Sequence, residues 1–523
     1  MGESKPIPEG LRAAFDRYER AVVTNDLAAM GAAFASSGST LRGDATDLLV
    51  GHDAITAFRA TRGGVSRRRI GRIEHRWLGD ATVLLVSVSH YDGGGSGLQT
   101  QVWQELDGRW LITAAHVSPR SATFDTAIWR VLGDPLLPAT AGGPLDSLRV
   151  AVKDLFAIAG QRVGAGNPTY LAEAEQNTTT AHAVTQLLAG GAAVTGIART
   201  DEFAYSIAGV NAHYGTPRNA LRPDGLPGGS SSGPAAAVAL GHADIGLATD
   251  TAGSIRVPAS YQGLWGLRTT SGAVSTAGML PLAPSFDTVG WLTRDGDSLQ
   301  SVVDWCLGAR RKGGNPAGSV AGSLPRRFVV AEEAANAAFE DMKNRFWAVV
   351  AGLSSWSQAP ITRVHIDGID DIAQQFRIVQ AAEAWRNHAA WVAAHPAALG
   401  ADVAERFRFA ATVSLEAESR ARGLLKRRAE EIRRLVSDAV MLLPTTPGPA
   451  PSRTAGGSEL DGHRQATLRM TVLAAVAGLP AVSLPIDAGD EDGPWGLCLI
   501  GPPGSDSALV GLARQLARYL SEV

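Results

Sequence analysis

The chain has 523 residues, 45% hydrophobic and 19% charged, a globular composition long enough for two or more cores. A formal net charge of −3 leaves no basic stripe to neutralise a phosphate backbone, so nucleic acid is excluded as the expected partner. Two cysteines, Cys306 and Cys498, sit in apolar runs without metal or redox spacing and read as buried reduced thiols.

The N-terminal run MGESKPIPEG lacks the apolar core of a signal peptide. The longest apolar stretch, residues 471–486, is broken by Gly-Leu-Pro and falls short of the roughly 20 residues a membrane span needs. A cytoplasmic protein without membrane contact is therefore expected.

Residues 1–118 read as an α+β unit. Leu11, Ala14, Phe15, Tyr18, Ala21 and Val22 recur at helical spacing, and a second short helix follows His52-Asp53. Four strand-like runs then alternate with Gly-Asp, Gly-rich and Asp-Gly turns: IGRIEHRW, ATVLLVSVSHY, LQTQVWQEL and GRWLITAAHV. That order and the phrase WLITAAHVSP resemble the cone-shaped SnoaL-like (NTF2-like) superfamily, particularly its AtzH-like branch. By the period-two rule Trp110, Ile112, Ala114 and His116 share a face, which would place His116 in the cone's cavity. Arg42, Arg59 and Gln101 are further candidate lining residues, and two arginines suit a carboxylate ligand. The stronger expectation is a domain that only forms a homodimer, with His116 a satisfied core histidine.

Residues 119–147, rich in Pro, Gly, Ser and Thr, read as a connector carrying a helix-like AIWRVL. From 148 to 523 the texture becomes alternating strand and helix. LRVAVK ends at Lys153, AHAVTQLLAGG is a helix closed by glycine, and AAVTGIA is a buried strand. The alternation predicts an α/β fold, a mixed sheet covered by helices on both faces, with reactive groups beyond the strand ends.

Two small-residue segments carry the chemistry. In GGSSSG, Gly228 and Gly229 precede Ser230 and Ser231, and SSGPAAAVALG continues as a helix stopped near Gly241. DIGLATD is a strand delivering TAGSIR, a turn in which the N–H groups of Thr251, Ala252, Gly253 and Ser254 read as an oxyanion nest. A serine hydroxyl needs a base to attack an amide, and Lys153 serves only if burial keeps its amine neutral.

Lys153, GGSSSG and TDTAGSIRVPAS together resemble the amidase signature family. Further phrases in family order extend the resemblance over most of 148–523: GIARTDEFAYS, SFDTVGWLTRD, MLLPTTPGPAP and GLCLIGPP. The resemblance implies a Ser-cisSer-Lys triad: Lys153 takes a proton from Ser230, Ser230 takes one from Ser254, and Ser254 attacks to give an acyl-enzyme. It also implies a cis bond between Gly229 and Ser230. Asp250 and Arg256 are expected to support the serine loops, although Arg256 facing an anionic substrate stays open. The family pattern has glycine at the positions of Ser232 and Ala252, where this chain departs without losing a reacting group.

The expected protein is a hydrolase of a small-molecule carboxylic or urea-derived amide. Without HxH or HExxH spacing, no metal and no cofactor are expected. Two alternatives remain at this stage: the glutaminase-type subunit of a tRNA-dependent amidotransferase, and a non-catalytic binding protein on a decayed amidase fold. The helical stretch between about 305 and 435 is where substrate choice is expected to lie.

Overall fold

The computed structural model describes residues 5–43, 48–60, 68–91, 96–118, 125–308, 327–357, 359–487 and 493–522. The chain divides into two compact units, Met1–Thr123 and Phe124–Val523.

In the first unit the amphipathic helix Glu9–Thr24 buries the face predicted from its spacing, Leu11, Phe15, Tyr18 and Val22 included. Its strands are β1 (Leu41–Gly43), β2 (Leu48–Val50), β3 (Arg68–Gly79), β4 (Thr82–Tyr91), β5 (Ser96–Leu106) and β6 (Arg109–Ser118). β3 to β6 form the expected antiparallel meander, and β1 adds in parallel to β6 to give the order β2-β1-β6-β5-β4-β3. The short β1 and β2 have too few alternating residues to show in the sequence.

The second unit is built on an eleven-stranded mixed sheet. Its strands are β7 (Trp129–Leu137), β8 (Arg149–Lys153), β9 (Ala193–Ala198), β10 (Ile245–Asp250), β11 (Trp265–Arg268), β12 (Thr288–Thr293), β13 (Arg327–Ala331), β14 (Ile361–Val364), β15 (Ala439–Pro444), β16 (Ala481–Ile486) and β17 (Trp495–Ile500). The order is β14-β13-β15-β17-β16-β11-β12-β10-β8-β9-β7. β9, β8 and β10 run parallel, as do β14, β13 and β15, while the strands between the two sets pair antiparallel. β10, β12, β15 and β17 are buried along their whole length. Continuous apolar runs of this kind belong to strands covered on both faces.

One expectation is overturned between the units. AIWRVL is not helical: Trp129–Leu137 is the edge strand β7, paired antiparallel with β9, so part of the segment read as a connector belongs to the larger sheet. Trp, Val and Leu fit a pleated edge once β9 offers one, and this pairing outweighs a weak local helical pattern. Pro135 is tolerated because an edge strand has one unpaired side.

Candidate active site

β8 and β10 are parallel neighbours, and each carries a functional group to its C-terminal end: Lys153 on β8, Thr249 and Asp250 on β10. The Gly-Ser loop crosses beside those ends before entering the helix Ser232–Ala239. The loop depends on its glycines. Gly228 has φ +72°, and a Cβ on Gly229 would lie 2.2 Å from Asp201 Oδ2. The Gly229–Ser230 peptide bond is cis.

Lys153 is wholly inaccessible to solvent. Its Nζ lies 2.9 Å from Ser230 Oγ, 2.9 Å from Ser231 Oγ and 2.8 Å from Thr249 Oγ1. Burial pushes its pKa down to about 7, against the pull of Asp201, Asp250 and Asp287. A neutral amine has two N–H bonds and one lone pair, so one of the three hydroxyls must donate to it. Ser231 Oγ donates to the Thr249 carbonyl at 3.2 Å, which leaves Ser230 or Thr249 to fill the lone pair. Thr249 was missed by sequence reasoning because its contact with Lys153 spans two strands.

Ser254 follows β10 by one tight turn and is nearly buried. Its Oγ has no hydrogen-bond partner among the described residues, and no bond joins it to Ser230 Oγ. The loop and turn meet through the backbone, where Ser231 N–H donates to the Ser254 carbonyl at 3.3 Å.

One of the four N–H groups expected in the oxyanion nest is already engaged. Gly253 N–H is taken by Asp250 Oδ1 at 2.9 Å, whereas the N–H groups of Thr251, Ala252 and Ser254 have no partner among the described residues. Asp250 closes the turn by accepting this N–H from three residues on, and Gly253 accommodates the turn at φ +127°. Thr471 holds the other side, donating its hydroxyl to the Ala252 carbonyl at 2.6 Å.

Asp250 and Arg256 are both completely buried and paired at 2.9 Å. Arg268, not anticipated, joins Asp250 at 3.2 Å. These guanidiniums overcome desolvation and hold the Asp250 carboxyl well below the usual range. Arg256 therefore closes the turn, its guanidinium committed to Asp250 and the Thr471 carbonyl. Asp201, also missed, receives Gly209 N–H at 2.9 Å and the Ser232 hydroxyl at 2.9 Å, while its own N–H binds the Ser230 carbonyl at 3.1 Å. Its place in the phrase TDEFAYS was visible, but its function as a clamp was not.

The candidate pocket of the N-terminal unit is brought together only in part. Gln101, Ala115 and Arg42 lie in register across β5, β6 and β1, and Arg42, Arg59 and Gln101 are all buried. Arg59 donates to the Met30 carbonyl at 2.7 Å and to Tyr18 Oη at 3.2 Å, and lies over the Phe34 ring. His116 is exposed on the opposite face. The extra residue Thr113 interrupts the ladder between Ile112 and Ala114, so alternation flips and Ala115 turns inward instead.

Among the described residues no helix is long and apolar enough to cross a membrane, and no group of His, Cys, Asp and Glu could hold a metal ion.

Residues 134–510 match the amidase family, and residues 4–122 match the AtzH-like family. The chain is 33% identical over 428 residues to Amidase 1 of Arabidopsis thaliana, covering 76% of this chain and 99% of that protein. It is 33% identical over 392 residues to 2-amino-5-chloromuconic acid deaminase of Comamonas testosteroni, covering 71% and 81%. A solved, inhibitor-bound vestigial protein complex, described as revealing the evolutionary origins of an s-triazine catabolic enzyme, superposes with a TM-score of 0.64 at 27% identity, covering 72% of this chain and 84% of that one.

Proposed function

The chain belongs to the amidase family, a hydrolase acting on C–N bonds with an AtzH-like domain at its N-terminus, and on that premise we propose that Lys153, Ser230 and Ser254 form its catalytic triad. The observation that carries this reading is a desolvated amine, inaccessible to water and titrating near neutrality, in hydrogen-bond contact with Ser230. A buried ammonium elsewhere would be an uncompensated cost; here its neutral form is a base.

Ser254 Oγ attacks the amide carbon while its proton passes to Ser230 and the Ser230 proton to Lys153. The N–H groups of Thr251, Ala252 and Ser254 are the donors for the oxyanion. The relay then reverses, the leaving nitrogen is protonated, and water releases the acid from the Ser254 ester. The missing Ser230–Ser254 bond closes as the acyl group enters, since catalytic hydrogen bonds are often long before substrate binds. Substrates are small carboxylic or urea-derived amides, a reading supported by the likeness to a protein complex described as revealing the origins of an s-triazine catabolic enzyme. A fluorophosphonate probe should label the wild-type chain and not Ser254→Ala, and ammonia release from an amide library should vanish with the label. Labelling that survives in Ser254→Ala assigns the nucleophile elsewhere and defeats the reading.

A further inference from the structure

A cavity of about 630 Å³ opens beside the serine turn. Two of its walls share elements with that turn. Val257 follows Ser254 by three residues on the helix Arg256–Tyr261, and its N–H is bonded to the Gly253 carbonyl at 2.8 Å. Thr467 lies one helical turn before Thr471, which grips the Ala252 carbonyl.

Three arginines enter the same cavity from three helices remote in sequence: Arg377 from Ile369–Ala394, Arg406 from Ala401–Thr412 and Arg464 from Gly457–Ala477. They are close enough for their fields to overlap. Arg464 is pushed down to about 10, first by burial and then by Arg406 and Arg377, against Tyr205 and Asp461. Arg406 is lowered by burial, against Asp402, Tyr205, Asp201 and Asp461. Arg406 donates to the Tyr205 carbonyl, whereas Arg377 and Arg464 have no hydrogen bond or ion pair among the described residues.

The cavity's carboxylates form no direct ion pair with these arginines among the described residues, although Asp402 and Asp461 act on them through space. Glu202 is engaged by His213 at 2.7 Å and Asn167 at 2.6 Å. Asp402, Glu405 and Asp461 are exposed and form no ion pair with the arginines among the described residues. Asp402 and Asp461 offset these like charges only through space, so Arg377 and Arg464 have no direct ion-pair partner among the described residues and gain one when a carboxylate enters. The exposed acidic rim disfavours a phosphate dianion, and a guanidinium matches the planar fork of a single carboxylate.

We propose that this cavity selects amides carrying a second, anionic end, that is monoamides of dicarboxylic acids, with Arg464 the specificity-determining residue and Arg406 and Arg377 completing the carboxylate site. The inference rests on the amidase reading and adds its substrate class. The scissile carbonyl sits at Ser254 and the free carboxylate reaches back to the arginines.

The test is ammonia release from malonamate, succinamate, glutaramate and adipamate, each against its uncharged diamide. The best monoamide should exceed its diamide in kcat/KM by about tenfold or more, as expected for charge-assisted hydrogen bonds. Arg464→Gln should bring that ratio to about one through KM, and Arg464→Lys should keep part of it. Equal turnover of both series by the wild type, or an equal loss on both in Arg464→Gln, overturns the inference and leaves the amidase reading standing. Protection of Ser254 from the fluorophosphonate by the free dicarboxylates, compared with the diamides, reads the same preference without turnover. Absence of that preference overturns the inference too. Failure of the wild-type chain to label at all removes the amidase reading and the inference with it.

Discussion

Around Lys153 most buried polar side chains are bonded, with Arg268 Nε, Asp154 Oδ2 and the Ser254 hydroxyl left over, whereas inside the N-terminal sheet Gln101 Nε2 and Ser87 Oγ have no partner among the described residues. The first interior fixes its groups: Thr249, Ser231 and Ser230 converge on one amine, while Asp250, Arg256 and Arg268 lock the neighbouring turn. The second has buried arginines and orphaned donors, and each orphan costs about 1–3 kcal/mol that burial of its neighbours must offset. A saturated polar network specifies a position; an unsaturated one only occupies space.

The contrast is broken most directly at the nucleophile. Ser254→Ala should lower amide hydrolysis by about 10³-fold or more while leaving the unfolding midpoint nearly unchanged, since among the described residues Ser254 Oγ bonds to nothing that its loss would orphan. Rate assays and denaturant melts on one preparation check both halves.

Lys153→Ala should cost about 10³-fold as well and remove the ascending limb of the kcat/KM–pH profile, which in the wild type rises through about pH 7 as the amine loses its proton. An unchanged limb in the variant would take the base away from Lys153. The same depressed pKa has a stability consequence. Above about pH 7 the folded chain binds fewer protons at this site than the unfolded chain, so the site's contribution to stability rises with pH up to the ordinary lysine range.

Asp250→Ala leaves two buried guanidiniums unpaired and should destabilise the protein by about 3–5 kcal/mol in urea unfolding. A loss below about 1 kcal/mol would show that water already compensates the pair. Thr249→Val removes one acceptor from the lysine and should move the ascending limb down by less than about one pH unit, with a modest change in rate. The smallest effect belongs to the other interior: Ser87→Ala deletes an orphaned hydroxyl and should leave stability equal or raise it by up to about 1 kcal/mol, with amide turnover unaffected. A marked loss would mean that Ser87 is bonded in solution.

Much of the larger unit was legible because its signals are local. The runs ending at Lys153 and Asp250 are strands and SSGPAAAVALG is a helix, as their residue types require. What misled were patterns completed by partners elsewhere in the chain. AIWRVL became a strand when β9 supplied an edge, and His116 left the inner face when one extra residue entered β6. Substrate choice was expected between about 305 and 435, and Arg377 and Arg406 come from there, but Arg464 lies outside that stretch.

The sequence by itself determined the small-residue turns, the two serines and the strand that ends in a lysine, because backbone freedom at glycine and side-chain chemistry are properties of single residues. Only the tertiary structure decided that the lysine is buried enough to lose its proton near neutrality, that Gly253 gives its N–H to Asp250, and that three arginines from distant helices face one cavity. Desolvation and electrostatic coupling depend on distances through space, and residues far apart along the chain acquire those distances only when it folds.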